Sequence, residues 1–190
     1  LVAYASISHM GIVLLGIATL KPLGIAGAVF MMFAHGIISP AMFVLAGTLQ
    51  HRVHTRLIPE LSGLTRRMPM IGSLTLVIFM GSLGLPGMAA FVAELAVFVS
   101  FWDSHGWWLL VPVIGIIFSA AYHLWAIQRA YFGPLNEKLE QMEVIEDGSW
   151  NEKLPVASLM VLAILFGIVP SLIMDMIDRA VATIVATLPG

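Results

Sequence analysis

Between Met70 and Trp102 the chain carries one charged residue, Glu94, and breaks its own apolar run with Gly84-Leu85-Pro86-Gly87. A run this apolar has to be kept from water. Each side of the break offers roughly 14 residues, about 21 Å of helix against a hydrocarbon core of ~30 Å, so neither half crosses a bilayer alone. The economical reading is one discontinuous span, two half-helices meeting at Gly84–Gly87. Pro86 lacks an N–H, so the carbonyl of Ser82 loses its helical donor. An unpaired backbone group in hydrocarbon costs several kcal/mol, and such a break survives only inside protein or beside water. Transporters use discontinuous helices in this way to place ion sites near the midplane, whereas the plainer alternative is a packing kink.

Four further apolar runs flank this one: Leu1–Leu20, which turns at Lys21-Pro22, then Gly24–Leu49, Trp107–Tyr131 and Leu154–Met174. The expectation is an all-α polytopic membrane protein of five transmembrane spans, the third discontinuous. Residues 1–176 form one transmembrane bundle, and 177–190 a short amphipathic tail at the interface. Composition agrees: 59% of residues are hydrophobic, 11% are charged, and mean hydropathy is +0.97. Soluble domains carry about twice that charged fraction. The chain opens on Leu1 straight into an apolar run without a basic flank, as expected of a piece of a longer polypeptide rather than of a signal peptide. The absence of cysteine excludes disulfides and thiolate-held metal or iron–sulfur clusters in this chain. The net charge of −2 gives no footing for nucleic acid. No phosphate-binding loop, catalytic triad, dinucleotide fingerprint or metal motif occurs. Seven basic residues (Arg52, Arg56, Arg66, Arg67, Arg129, Lys138 and Lys153) fall in or beside the two long loops, against Lys21 and Arg179 on the other side. By the positive-inside rule the long loops and the Leu1 end face the cytoplasm, and the tail lies across the membrane.

Few polar residues remain at membrane depth, and they are chemically alike. Glu94 is the only acid between Glu60 and Asp103. Removal from water favours a neutral carboxyl group, and intramembrane acids mark proton or ion pathways more often than they serve as packing. His9 lies in the first span with Ser6 one turn back. His35 lies near the middle of the second, followed at i+4 by Ser39, and Pro40 frees the carbonyl of Gly36. A lone histidine reads best as a packing residue. Two of them with one acid on three consecutive spans point to a proton relay, since imidazole passes a proton between its two nitrogens. His123 is a weaker candidate, two turns inside the fourth span. His51 and His54 sit in a solvated loop, and Asp103 and His105 at the opposite membrane face. Methionines scattered through the spans fill gaps.

The segments "LVAYASISHMG", "GAVFMMFAHGIISPAMFVLAG", "HTR", "GLTRRMP", "SLGLPGMAAFVAEL" and "RAYFG" resemble, in order and spacing, the antiporter-like subunit M (chain 4) of respiratory complex I. The resemblance covers nearly the whole chain. It implies a fourteen-helix protein of two inverted five-helix repeats, of which this chain is the second. Glu94 would then be the terminal proton site in the second broken helix (Gly84, Pro86, Gly87), His35 the central-axis histidine and His9 that of the preceding helix, with His123 and Ser39 as further members. The implied function is proton translocation in a redox-driven NADH (or related donor):quinone oxidoreductase. NADH or a reduced deazaflavin, flavin, iron–sulfur clusters and quinone would sit in partner subunits, and other antiporter-like and small membrane subunits would surround this one. The first repeat, with its buried glutamate and lysines, is absent, and none of the nine basic residues lies at mid-membrane depth. A sodium/proton antiporter subunit and a structural scaffold are the alternatives.

Overall fold

The computed structural model describes residues 1–142 and 145–186, and among these every regular element is helical. Helices α1 (Val2–Ala18) and α2 (Pro22–Val53) form a hairpin turned at Lys21, with Pro22 at the helix start where its missing N–H is harmless. α2 is 32 residues long, about 48 Å. The chain then runs through α3 (Pro69–Ser82), α4 (Ala89–His105), a 3-10 turn at Gly106–Leu109, α5 (Leu110–Tyr131), the short α6 (Glu137–Glu140), α7 (Trp150–Ile168) and α8 (Ser171–Val185). α2 is the central pillar and packs against α1, α3, α4, α7 and α8.

Three stretches are long and apolar enough to cross a membrane: α2, the run Ala89–Tyr131 that contains α4 and α5, and α7. α1 and α3 are shorter apolar helices. Helix stops at Ser82 and restarts at Ala89. Between them Gly84 and Gly87 take φ of +70° and +93°, a region open to glycine at little cost. The expected run Leu154–Met174 needs correcting. A capping box between Ser149 and Glu152 starts α7 at Trp150, and the helix ends at Ile168 because Pro170 has no N–H for the carbonyl of Phe166. The expected tail begins inside α8, where Ile177 and Val181 are buried against α2; residues 187–190 lie outside the described residues.

The packing explains how apolar helices hold together without water to drive them. Small residues let backbones close in. A Cβ on Gly27 would crowd Val97 of α4, and one on Gly24 would overlap the hydroxyls of Thr19 and Ser100. Those hydroxyls are themselves paired, Ser100 Oγ donating to Thr19 Oγ1 at 3.2 Å and Thr19 to the Gly16 carbonyl at 2.7 Å. At the other end the two long loops meet, Gly63 N donating to Phe132 O and Asn136 N to Ser62 O. The acidic loop, of which residues 143–144 lie outside the described ones, is the clamp there. Arg52 at the end of α2 reaches Glu152 at 2.7 Å and Glu146 at 3.4 Å. Asp147 accepts from Met70 N at 2.8 Å and Ile71 N at 3.0 Å, covering the first free amides of α3. Asp147→Ala is expected to cost about 1 kcal/mol and lower the thermal unfolding midpoint in detergent. An unchanged midpoint would show that the cap holds nothing.

Candidate functional site

The break in α3 leaves one carbonyl to account for. Leu85 N bonds to Met80 O and Gly84 N to Gly81 O, while Pro86 has no N–H to return to Ser82. The Ser82 carbonyl is taken up by His9 of α1, whose Nε2–H donates to it at 2.9 Å in a buried contact. His9 therefore caps a carbonyl left bare where Gly84, at φ +70°, turns the chain out of α3. Its other nitrogen, Nδ1, lies 3.1 Å from Nδ1 of His35 on α2, the two rings meeting edge to face. One turn away Ser6 and Ser39 form a second rung between the same helices, Oγ to Oγ at 3.3 Å.

His123 of α5 enters from the opposite side. It is fully buried, and its Nδ1–H donates to the Ser119 carbonyl at 2.9 Å, one turn earlier in the same helix. Its Nε2 stands 3.5 Å from the Ser82 hydroxyl, which is equally far from His9 Nε2. Two histidines, His9 and His123, thus meet at the residue that ends α3, and His35 joins them through His9.

Glu94 sits in the second turn of α4 and is 8% exposed. No hydrogen bond reaches its carboxyl group among the described residues. Its carboxylate presses on Gly84, where a Cβ would overlap it. Beside it lies a small cavity bounded by His9, Ser82, Glu94, Ser8 and Ser119, with apolar walls from Ile12, Leu83 and Ile116. Its free volume matches about one water molecule. The acid faces polar groups inside the bundle.

The sequence singled out Glu94, His9, His35 and the break, and the fold brings these to one place. Ser39 lies one rung off, paired to Ser6. Sequence reading missed the Ser82 hydroxyl and Ser119, because serine is ordinary in membrane helices and only the meeting of α1, α3 and α5 gives these two a role. It also missed a cleft of about 460 Å³ at the loop end, whose walls include Gln50, Arg56, Thr75, Tyr131 and Phe79. Thr75 Oγ1 donates to Tyr131 OH at 3.0 Å, and Phe79 stands edge-on to the His123 ring at 5.3 Å. One aromatic ring thus lies between cleft and histidine. His51, expected in a loop, lies exposed in the last turn of α2 and His54 caps that helix, His105 stacks on Phe101, and no cluster of potential metal ligands forms among the described residues.

Residues 1–119 match the family described as NADH:quinone oxidoreductase/Mrp antiporter, transmembrane. The chain is 41% identical to the F(420)H(2) dehydrogenase subunit M of Methanosarcina mazei over its full length, which is 38% of that relative. In structure it resembles a chain of respiratory complex I from Thermus thermophilus, with a TM-score of 0.88 and 28% identity, covering all of this chain and 39% of that one. It shares the fold of a chain of the Mrp complex from Dietzia sp., with a TM-score of 0.82 and 20% identity over 96% of this chain and 42% of that one.

The packing of Gly84 on Glu94 yields a paired prediction. Gly84 and Gly87 both have positive φ, but a Cβ at Gly87 meets open space. Gly87→Ala should cost about 1–2 kcal/mol of backbone strain, and Gly84→Ala clearly more, read as unfolding midpoints of the two variants. Equal losses would show that the contact with Glu94 is not tight.

Proposed function

The chain belongs to the transmembrane family shared by NADH:quinone oxidoreductases and Mrp antiporters, and we propose that it conducts protons within a redox-driven donor:quinone oxidoreductase. The observation that carries this reading is Glu94, buried beside a helix break and facing a water-sized cavity shared with His9 and Ser82. A carboxyl group so placed can hold and release a proton without a fixed counter-ion. The relay runs through Glu94, His9 and His35, with His123 and Ser39 as accessory members and the loop-end cleft as the approach to His123.

In this reading α3 and α4 together make one discontinuous span, the third of five, and the chain is the second half of an inverted repeat. The meeting at one end of the two long loops, which hold most of the lysines and arginines, supports a cytoplasmic position for that end. The charged outer face of α8, with Asp175, Asp178 and Arg179, suits the opposite interface. The chain spans 38% of the length of its Methanosarcina relative, so the other half of the proton path belongs to residues beyond it. Electron transfer belongs to partner subunits carrying flavin and iron–sulfur clusters, between NADH or a reduced deazaflavin and a quinone. This chain is the non-redox part of that enzyme, set among other antiporter-like and small membrane subunits.

The coupling is electrostatic. A charge that appears or disappears at Glu94 alters the field at the histidines and at basic groups of the preceding repeat. Moving one charge against ~180 mV takes about 4 kcal/mol, equivalent to a thousandfold change in proton affinity at one site. Redox energy delivered elsewhere has to swing the relay by about that much.

The fold shared with the Mrp chain favours one second reading, a sodium/proton antiporter subunit without redox partners. Reconstitution of the full complex into liposomes separates the two: proton flux should require the electron donor, and flux driven by a sodium gradient alone would favour the antiporter. Glu94→Gln should cut proton flux about a hundredfold. Undiminished flux in that variant leaves only a structural role for the acid.

A further inference from the structure

Ser82 and His9 stand 73 positions apart, yet one hydrogen bond joins them. A carbonyl oxygen only accepts, so the 2.9 Å contact on Ser82 O requires a proton on His9 Nε2. A neutral imidazole carries one N–H, which leaves His9 Nδ1 bare. The 3.1 Å contact between the two Nδ1 atoms then requires His35 to carry its proton on Nδ1 and donate it. His35 Nε2 is left bare on a half-buried ring.

We infer that the Ser82 carbonyl, left without a backbone donor where Gly84 at φ +70° turns the chain out of α3, sets the tautomer of His9, and through it that of His35. The pair then has a defined capacity. A proton arriving on His35 Nε2 lets the Nδ1 proton pass to His9 Nδ1, and no ring has to turn. The pair takes one extra proton and no more, because two would set N–H groups head to head across 3.1 Å. The other titratable groups around His9 are His123, which approaches the Ser82 hydroxyl, and Glu94, across the small cavity. The Ser82 hydroxyl, 3.5 Å from His9 Nε2, is the competing acceptor. The carbonyl wins because it is much closer and has no backbone donor.

This inference rests on the proton-conducting reading for its purpose, but its test does not depend on transport. The measurement is nitrogen-15 solid-state NMR of histidine-labelled full-length subunit in bilayers, with His9 and His35 assigned through His9→Gln and His35→Gln. The expected result is His9 protonated on Nε2 and His35 on Nδ1, each in about tenfold excess over the other tautomer. Ser82→Ala keeps the carbonyl and should leave both tautomers as they are. A wild-type His9 protonated on Nδ1, or a tautomer that moves in Ser82→Ala, would overturn the assignment. A failed tautomer test with proton flux still abolished by Glu94→Gln would leave the functional reading intact, and the reverse pair of results would remove that reading and keep this one.

Discussion

A backbone carbonyl in hydrocarbon has to find a donor, and around the α3 break a side chain supplies it. The cost of leaving such a group bare is several kcal/mol, comparable to the net stability of a small domain. The chain turns out of the helix at Gly84 and leaves the Ser82 carbonyl without a backbone donor, and a histidine from another helix supplies one. The break is thus tied to α1 by a tertiary hydrogen bond.

From that bond the rest of the site follows outward. His9 is pinned through Nε2, so its remaining nitrogen is committed to His35 and to the contact between α1 and α2. The Ser82 side chain, fixed at the end of α3, lies between His9 and the His123 ring carried by α5. Glu94 is excluded from this hydrogen-bond chain yet packed against it, its carboxylate on Gly84 and its open side on the small cavity. An acid bound firmly to an arginine would be a permanent charge. One with no hydrogen-bond partner among the described residues and room for water beside it can change its charge.

The loop-end clamp bears on the same region. Asp147 holds the first turn of α3, and Arg52 ties α2 to the start of α7 through Glu152. Gly167 near the end of α7 lies against the backbone of Gly87, where any Cβ would overlap it. The broken region is thus steadied at its loop end by charges and at its turn by a close backbone approach.

Much of this was legible in the residues. The apolar runs, the helix break, the buried acid and the two central histidines depend on local composition and on proline's missing N–H, which act wherever the chain goes. The end of α7 was misread because a hydropathy run continues through Val169-Pro170, where the backbone cannot. His123 looked marginal because depth along a helix says nothing of which face is turned inward. What the sequence determined by itself is the kind of environment and the inventory of groups: a membrane-embedded helical chain with an orphaned carbonyl at Ser82, an acid in the same apolar run and several imidazoles. Which imidazole meets that carbonyl, which nitrogen it uses, and which side chains border the acid were decided by helix packing alone. Hydrogen bonds reach only about 3 Å, and contacts between residues 73 positions apart exist only once the helices are side by side.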